Sequence, residues 1–270
     1  MSLHIHRTGW LRAPARLPDA QIAAAIGDVH GCARHLDALL EALAVDLSEH
    51  PGAATLVYLG DYIDRGPDSR AVLARVADRC GIPGIAEVRL RGNHEDWLLD
   101  IVHGRVSGLD ALDWLAAGGD ATLRAFGYDP GRLANDPSAL RRALQTALDP
   151  ATRDMLAATR LSHRIGPYLF VHAGVHPRGP LDLCDASSLL WIRDRFLEIP
   201  EGMWDHPGIV AVHGHTPGST QVRHHRVGVD SGAFETGILS AVLLSGDRLQ
   251  YVSVAEPWAD PRWLPPISAP

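Results

Sequence analysis

The chain has 270 residues, 46% of them hydrophobic and 21% charged, with a formal net charge of -7; this is the composition of a folded domain rather than of a disordered segment. The acidic balance argues against a nucleic acid polymer as partner, because phosphate backbones call for a basic surface. Three widely spaced cysteines, Cys32, Cys80 and Cys184, fit a reducing compartment better than a disulfide framework, and no apolar run reaches the length of a membrane span.

In chain order, residues 1–20 read as an irregular arm, mixed in character and lacking the apolar stretch of a signal peptide. A soluble cytoplasmic protein is therefore expected. Ile22–Ile26 is a short apolar run and reads as the first core strand. Cys32–Val45 carries apolar residues at 36, 39, 40 and 43, a helical period. Thr55–Leu59 is a second strand, residues 69–79 a second helix after Pro67, and Ala86–Leu90 a third strand. Residues 94–160 are rich in Ala and Leu and broken by Gly104, Gly118-Gly119, Gly127 and Pro137, which predicts several short helices, with Trp97 and Trp114 in their packing. Strand patterns return at Leu161–Ile165, Tyr168–His172 and Ile209–Val212. Gln221–Asp230, Ile238–Leu244 and Arg248–Val254 resemble a closing antiparallel set, and a Pro- and Trp-containing tail, 257–270, is expected over the surface. No linker or repeat divides the chain, so residues 1–270 are read as a single domain with 94–160 as a helical insertion.

Each of the first three strands ends in glycine and a polar cluster: Gly27-Asp28-Val29-His30-Gly31, Gly60-Asp61-Tyr62-Ile63-Asp64-Arg65-Gly66 and Arg91-Gly92-Asn93-His94-Glu95. Asp28, Asp61 and Asn93 are 33 and 32 residues apart, the length of a strand, a helix and a return strand. Such units deliver their strand ends to one crevice. Asp28 and His30, two apart, would share a face of extended backbone. Asp61 can offer one oxygen to each of two ions, and Asn93 an amide oxygen. His172 and either His213 or His215 follow from later strands. Oxygen and imidazole ligands without thiolate suit two divalent ions, Mn²⁺ first, with Fe²⁺ or Zn²⁺ as alternatives. His4, His6, His35, His50, His103, His163, His176 and His206 have no such setting and are read as ordinary structure. His224-His225 is given at most a place at the rim.

Together with His172-Ala173-Gly174 and Gly214-His215-Thr216, these clusters resemble the phosphoprotein phosphatase branch of the calcineurin-like metallophosphoesterases, in its compact bacterial and phage form. The resemblance runs from about residue 22 to 245. It implies an α/β fold of four layers, an α-β-β-α sandwich of two mixed sheets, with a dinuclear site at the sheet edge. It implies that Asp28 and His30 hold one ion, that Asn93, His172 and His215 hold the other, and that Asp61 bridges. It also assigns Asp64 and His94 to general acid catalysis, consistent with a carboxylate favouring a protonated imidazole. Arg65 suits phosphate through its fork of donors. A second arginine is expected between His172 and His215, with Arg193 the matching position and Arg195 its rival. The longer loop of the eukaryotic enzymes has no counterpart between Val229 and Leu239.

Two cations in such a site lower the pKa of a shared water, giving hydroxide near neutral pH, and neutralise phosphate oxygens. The expected reaction is hydrolysis of phosphoserine or phosphothreonine in proteins, or of a small phosphoester. Symmetrical dinucleoside tetraphosphatases share these ligands and are the alternative. In them the third cluster more often reads Gly-Asn-His-Asp and the second departs from Asp-Arg-Gly, so Glu95 and Asp64-Arg65-Gly66 favour the phosphatase side. A scaffold that has lost catalysis ranks last, because no ligand or acid is missing.

Overall fold

The computed structural model describes residues 2–265 apart from Arg79, Glu201 and Ser219. Three parallel strands lie side by side as expected: β3 (Gln21–Ile26), β4 (Ala53–Tyr58) and β5 (Ala86–Arg89), counted after β1 (His4–Arg7) and β2 (Leu11–Arg12). They are joined by α1 (Ala33–Ser48) and α2 (Ser69–Ala77). A smaller sheet holds β6 (Ser162–Ile165), β7 (Tyr168–Val171), β8 (Val210–His213) and β9 (Arg226–Gly228) in that order. The hairpin of β10 (Ile238–Ser245) and β11 (Arg248–Ala255) returns to the first sheet, whose order is β1-β11-β10-β3-β4-β5 with β2 also on β11.

The period of two in each strand sorts side chains between layers. From β3, Ile22, Ala24 and Ile26 face Leu36, Leu39 and Leu43 of α1, while Ala23 and Ala25 face the second sheet. That inter-sheet layer is closed by Val57, Tyr168, Phe170, Val210, Val212 and Val242. Beyond the small sheet, Val171 and Ala211 pack on Leu189 and Phe196. The central strands β3, β4, β7 and β8 are covered on both faces, which is why they read as apolar runs, while the edge strands β1, β5 and β6 stay partly exposed. The result is the four-layer mixed α/β sandwich. Among the described residues, no helix is long and apolar enough to cross a membrane.

Two expectations change. The N-terminal arm is not irregular: His4–Arg7 and Leu11–Arg12 pair antiparallel with β11. All four residues of β1 are exposed, so its pairing is a backbone matter that hydrophobic pattern cannot reveal; it covers the edge that β11 would otherwise present. And Gln221–Asp230 contributes only Arg226–Gly228, which runs parallel to β8 in the small sheet instead of antiparallel beside β10. Part of the tail, residues 266–270, lies outside the described residues. Its earlier part turns back on the body, with Trp258 against Gly237 and Trp263 against Gly218.

Candidate active site

The polar clusters begin where β3, β4 and β5 stop, and the chain leaves extended geometry there. His30, Asp61, Asp64, Arg65 and His215 all have positive φ, between 41° and 72°. Side-chain-bearing residues in that region carry backbone strain, which concentrates at functional sites. Glu95 holds the most strained stretch. Its buried carboxylate accepts the backbone N–H of Asp61 (2.8 Å) and Gly92 (3.0 Å) on one oxygen, and of Tyr62 (2.8 Å) and Ile63 (3.3 Å) on the other. It sits in the first turn of α3 (Asn93–His103), so a single side chain ties two strand ends together. Two glycines are there for room: a Cβ at Gly92 would collide with the Asp61 carboxylate, and one at Gly214 with that of Asp28.

The imidazoles are oriented by backbone carbonyls. His30 donates Nδ1–H to the Ile63 carbonyl (2.7 Å) and His172 donates Nδ1–H to that of Leu59 (2.9 Å). Those partners assign the tautomer, leaving a lone pair on each Nε2. The His30 Nε2 lies 3.4 Å from Asp61 Oδ2, and the His172 Nε2 lies 3.5 Å from Asp61 Oδ1 and 3.0 Å from Asn93 Oδ1. At His172 acceptors thus face acceptors, which a cation between them reconciles, while the His30 lone pair is also within reach of the Arg65 guanidinium. His215 adds a buried Nε2 without a protein partner. Two groups of convergent atoms result, His30–Asp61–His94 and Asp61–His172–His215, with Asp61 common to both. Asp28 is buried beside them, but its two oxygens accept the His215 N–H at 3.0 Å each and it stands outside both groups.

The electrostatics also call for positive charge. Burial, with Asp230 and Asp61 nearby, raises the Asp28 carboxyl well above its usual range. Asp230, which the sequence reading passed over, is pushed up to about 7, chiefly by burial. Burial alone would raise Asp61 too, but His172, His94 and His30 carry it well below the usual range. Burial lowers His30 to about 3 and His215 to about 2, keeping both neutral, the form that ligates metal. Carboxylate, amide and neutral imidazole donors around a shared Asp61 fit a pair of divalent cations.

His94 is different. Its Nδ1 is 2.7 Å from Asp64 Oδ2, while its Nε2 is buried and unpartnered. Burial works against its protonation, but Asp61 and Asp64 outweigh that and raise its pKa. Asp64 is itself fixed from several sides. The Trp114 indole donates to Oδ2 (2.8 Å), the Thr122 hydroxyl donates to Oδ1 (2.5 Å), and the Asp64 N–H reaches the hydroxyls of Ser69 and Thr122 (3.0 Å each). Trp114 and Thr122 come from α4 (Gly108–Trp114) and α5 (Asp120–Ala125), either side of a kink at Gly118. The arrangement can deliver a proton from Nε2 while Asp64 holds the other end of the ring.

Arg65 Nη1 lies 2.6 Å from His30 Nε2, and its guanidinium covers the Phe234 ring at 5.2 Å. Arg193 reaches the Thr216 hydroxyl (3.4 Å) and lowers the protonation of His172 and His215. Arg195 instead lines a separate cleft with Arg178 and Met203. Arg91 is engaged with Asp96 and Thr159. His213 ends β8 and meets Phe196 (5.1 Å between ring centroids), whereas His215, past the strand, meets His172 edge-on (5.0 Å). Trp97 packs on Trp191, which in turn edges His215.

The family model described as calcineurin-like phosphoesterase matches residues 23–235. Among curated proteins, the chain is 32% identical over 157 residues to a symmetrical bis(5'-nucleosyl)-tetraphosphatase of Acidovorax sp. (strain JS42), covering 57% of this chain and 44% of that relative. It is 39% identical over 95 residues to serine/threonine-protein phosphatase 1 of Salmonella typhimurium (strain LT2), covering 35% and 38%. The chain thus spans less than half the length of these relatives. Among solved structures, a provisionally assigned diadenosine tetraphosphatase superimposes with a TM-score of 0.58 at 22% identity, covering 90% of this chain and 98% of that one. That likeness speaks to the fold.

Proposed function

The chain belongs to the calcineurin-like phosphoesterase family, and from that premise we propose that it is a divalent-metal-dependent hydrolase of a bis(5'-nucleosyl) oligophosphate. The observation that carries the hydrolytic part is His94, a buried imidazole locked at Nδ1 and free at Nε2 beside Asp61. In this reading Asp28 and His30 hold one ion, Asn93, His172 and His215 hold the other, and Asp61 serves both. Bound there, divalent cations, with Mn²⁺ the leading choice, supply an acidified water and neutralise phosphate charge. The chain's own residues do the rest. Arg65 and Arg193 grip phosphate oxygens, and His94 Nε2 gives its proton to the departing oxygen. Asp64 keeps the Nδ1 proton in place, and Trp114 and Thr122 stop Asp64 from turning.

One observation supports the nucleotide substrate, and a second removes an argument against it. Similarity to the tetraphosphatase extends over 157 residues against 95 for the protein phosphatase. And Glu95 is occupied by backbone N–H groups, so its identity says little about substrate. The second reading, phosphoserine or phosphothreonine in proteins, is favoured by the intact Asp64-Arg65-Gly66 and by an acid suited to a basic alkoxide. The test compares kcat/KM for diadenosine tetraphosphate and for phosphoserine or phosphothreonine peptides in one Mn²⁺ buffer. At least a tenfold preference for the dinucleotide is expected, about 1.4 kcal/mol of transition-state binding. A tenfold preference for peptide would transfer the function to the second reading.

The ligand assignment has its own check. Chelation should abolish hydrolysis, and elemental analysis of His215→Ala should find about one ion fewer than wild type. His213→Ala should keep both. Loss of the ion from His213→Ala alone would reverse the assignment.

A further inference from the structure

A groove of about 1010 Å³ lies beside the candidate active site, not over it. It opens at Thr216, which follows His215 and receives Arg193. It runs to the turn Arg223-His224-His225-Arg226, with Arg12 on its wall. Arg226, at the start of β9, is only 5% exposed. Its Nε and Nη1 are buried without any partner, and Nη2 makes only long contacts, 3.4 Å each, to the Leu197 carbonyl and Gln221 Oε1. Arg223 Nη2 approaches the same Oε1 at 3.3 Å. Two guanidinium groups therefore converge on one neutral oxygen. His225, 3% exposed, has neither ring nitrogen bonded. Among the described lining residues the one carboxylate is Glu198, and it forms no ion pair with these arginines.

A guanidinium stays charged at any ordinary pH, so burial cannot be relieved by losing a proton. Leaving a buried charge unpaired costs several kcal/mol, and natural proteins rarely keep one without a counter-ion. Among the described residues Arg226 has no such partner, and Arg223 and His225 beside it are further bases. The Gln221 side chain is exposed; turned aside, it would present the Nη2 atoms of both arginines to a ligand. We propose that this groove is a second phosphate-binding site, in which a phosphate group replaces Gln221 Oε1 between Arg223 and Arg226. A phosphate group has enough oxygens to meet two guanidinium forks at once. The site does not depend on which substrate the metal centre takes. Its phosphate has two sources: a distal phosphate of a substrate held at the metal centre, reached along Thr216, or free phosphate.

Calorimetric titration of inorganic phosphate into the full chain, with Mn²⁺ and again with EDTA, tests this. One binding event should survive EDTA. It should weaken at least tenfold in Arg226→Met and in Arg223→Gln, and persist in Arg65→Ala. Arg223 is exposed, so its variant tests the site even if Arg226→Met fails to fold. No event in EDTA, or undiminished binding by Arg223→Gln, would overturn the site. The source follows from KM values of Arg223→Gln in Mn²⁺. A rise for diadenosine tetraphosphate alone, with none for p-nitrophenyl phosphate, assigns the site to a distal substrate phosphate; unchanged KM for both assigns it to free phosphate. Absence of p-nitrophenyl phosphate hydrolysis by wild type would count against the hydrolase reading and leave the phosphate site untouched.

Discussion

His94→Asn is expected to lower turnover of an alkyl phosphate by roughly 10²–10⁴-fold, the usual worth of a positioned general acid. The expectation rests on three features of one side chain. Its Nδ1 is held by Asp64 at 2.7 Å, its Nε2 has no protein partner, and Asp61 and Asp64 favour its charged form. An alkoxide leaves poorly without a proton, whereas nitrophenolate leaves well unaided. The loss on p-nitrophenyl phosphate should therefore be much smaller. Metal content must be measured alongside, because His94 Nε2 also lies 3.9 Å from Asp61 Oδ2. Equal losses on the two esters, or a variant that has lost an ion, would remove His94 from the acid role.

Glu95→Ala should cost about 4 kcal/mol or more of unfolding free energy. Four backbone N–H groups lose their acceptor, and each buried donor left unpaired costs about 1–3 kcal/mol. The weak 3.3 Å bond from Ile63 keeps the sum toward the lower part of that range. Domains are stable by only about 5–15 kcal/mol, so the variant should unfold at a far lower urea concentration. Glu95→Gln keeps the shape and one acceptor oxygen but turns an amide N–H toward donors, and an intermediate loss is expected. A loss below about 1 kcal/mol for Glu95→Ala would show that the carboxylate does not hold the Asp61 loop.

The parts of this site that sequence made legible are those that follow a strand. Ala23–Ile26 and Leu56–Leu59 are apolar because sheets or helices cover both faces; the run ending at Leu90 alternates Ala86, Val88 and Leu90 with half-buried Glu87 and Arg89, and glycine follows closely on all three. Asp28, Asp61 and Asn93 could be found from that alone. Period-two reasoning then fails one residue too far. His30 and His215 have positive φ, so pairing Asp28 with His30, or His213 with His215, on one face of extended chain does not describe them. Asp28 meets the His215 N–H, and His213 faces Phe196. Other contributors left no local trace. Trp114 and Thr122 lie 50 and 58 residues from Asp64, in a helical segment whose apolar pattern reports only its packing. Arg226 looks like any surface arginine until β9 carries it inside.

The grip of Trp114 and Thr122 on Asp64 joins two parts of the molecule that need not fail together. The loops that carry the candidate ligands Asp28, His30, Asp61 and Asn93 follow the parallel strands of the larger sheet. His94, the proposed acid, is oriented through Asp64 by α4 and α5, short helices on either side of the Gly118 kink, outside the sheets. Proteins open locally in such units well before they unfold as a whole. An excursion confined to residues 108–125 would leave the ligand-bearing strand ends assembled yet release the carboxylate that orients His94. On the proposed function, hydrolysis of esters with poor leaving groups would then fail below the melting temperature while activated esters were still cleaved: two thermal inactivation curves from one active site.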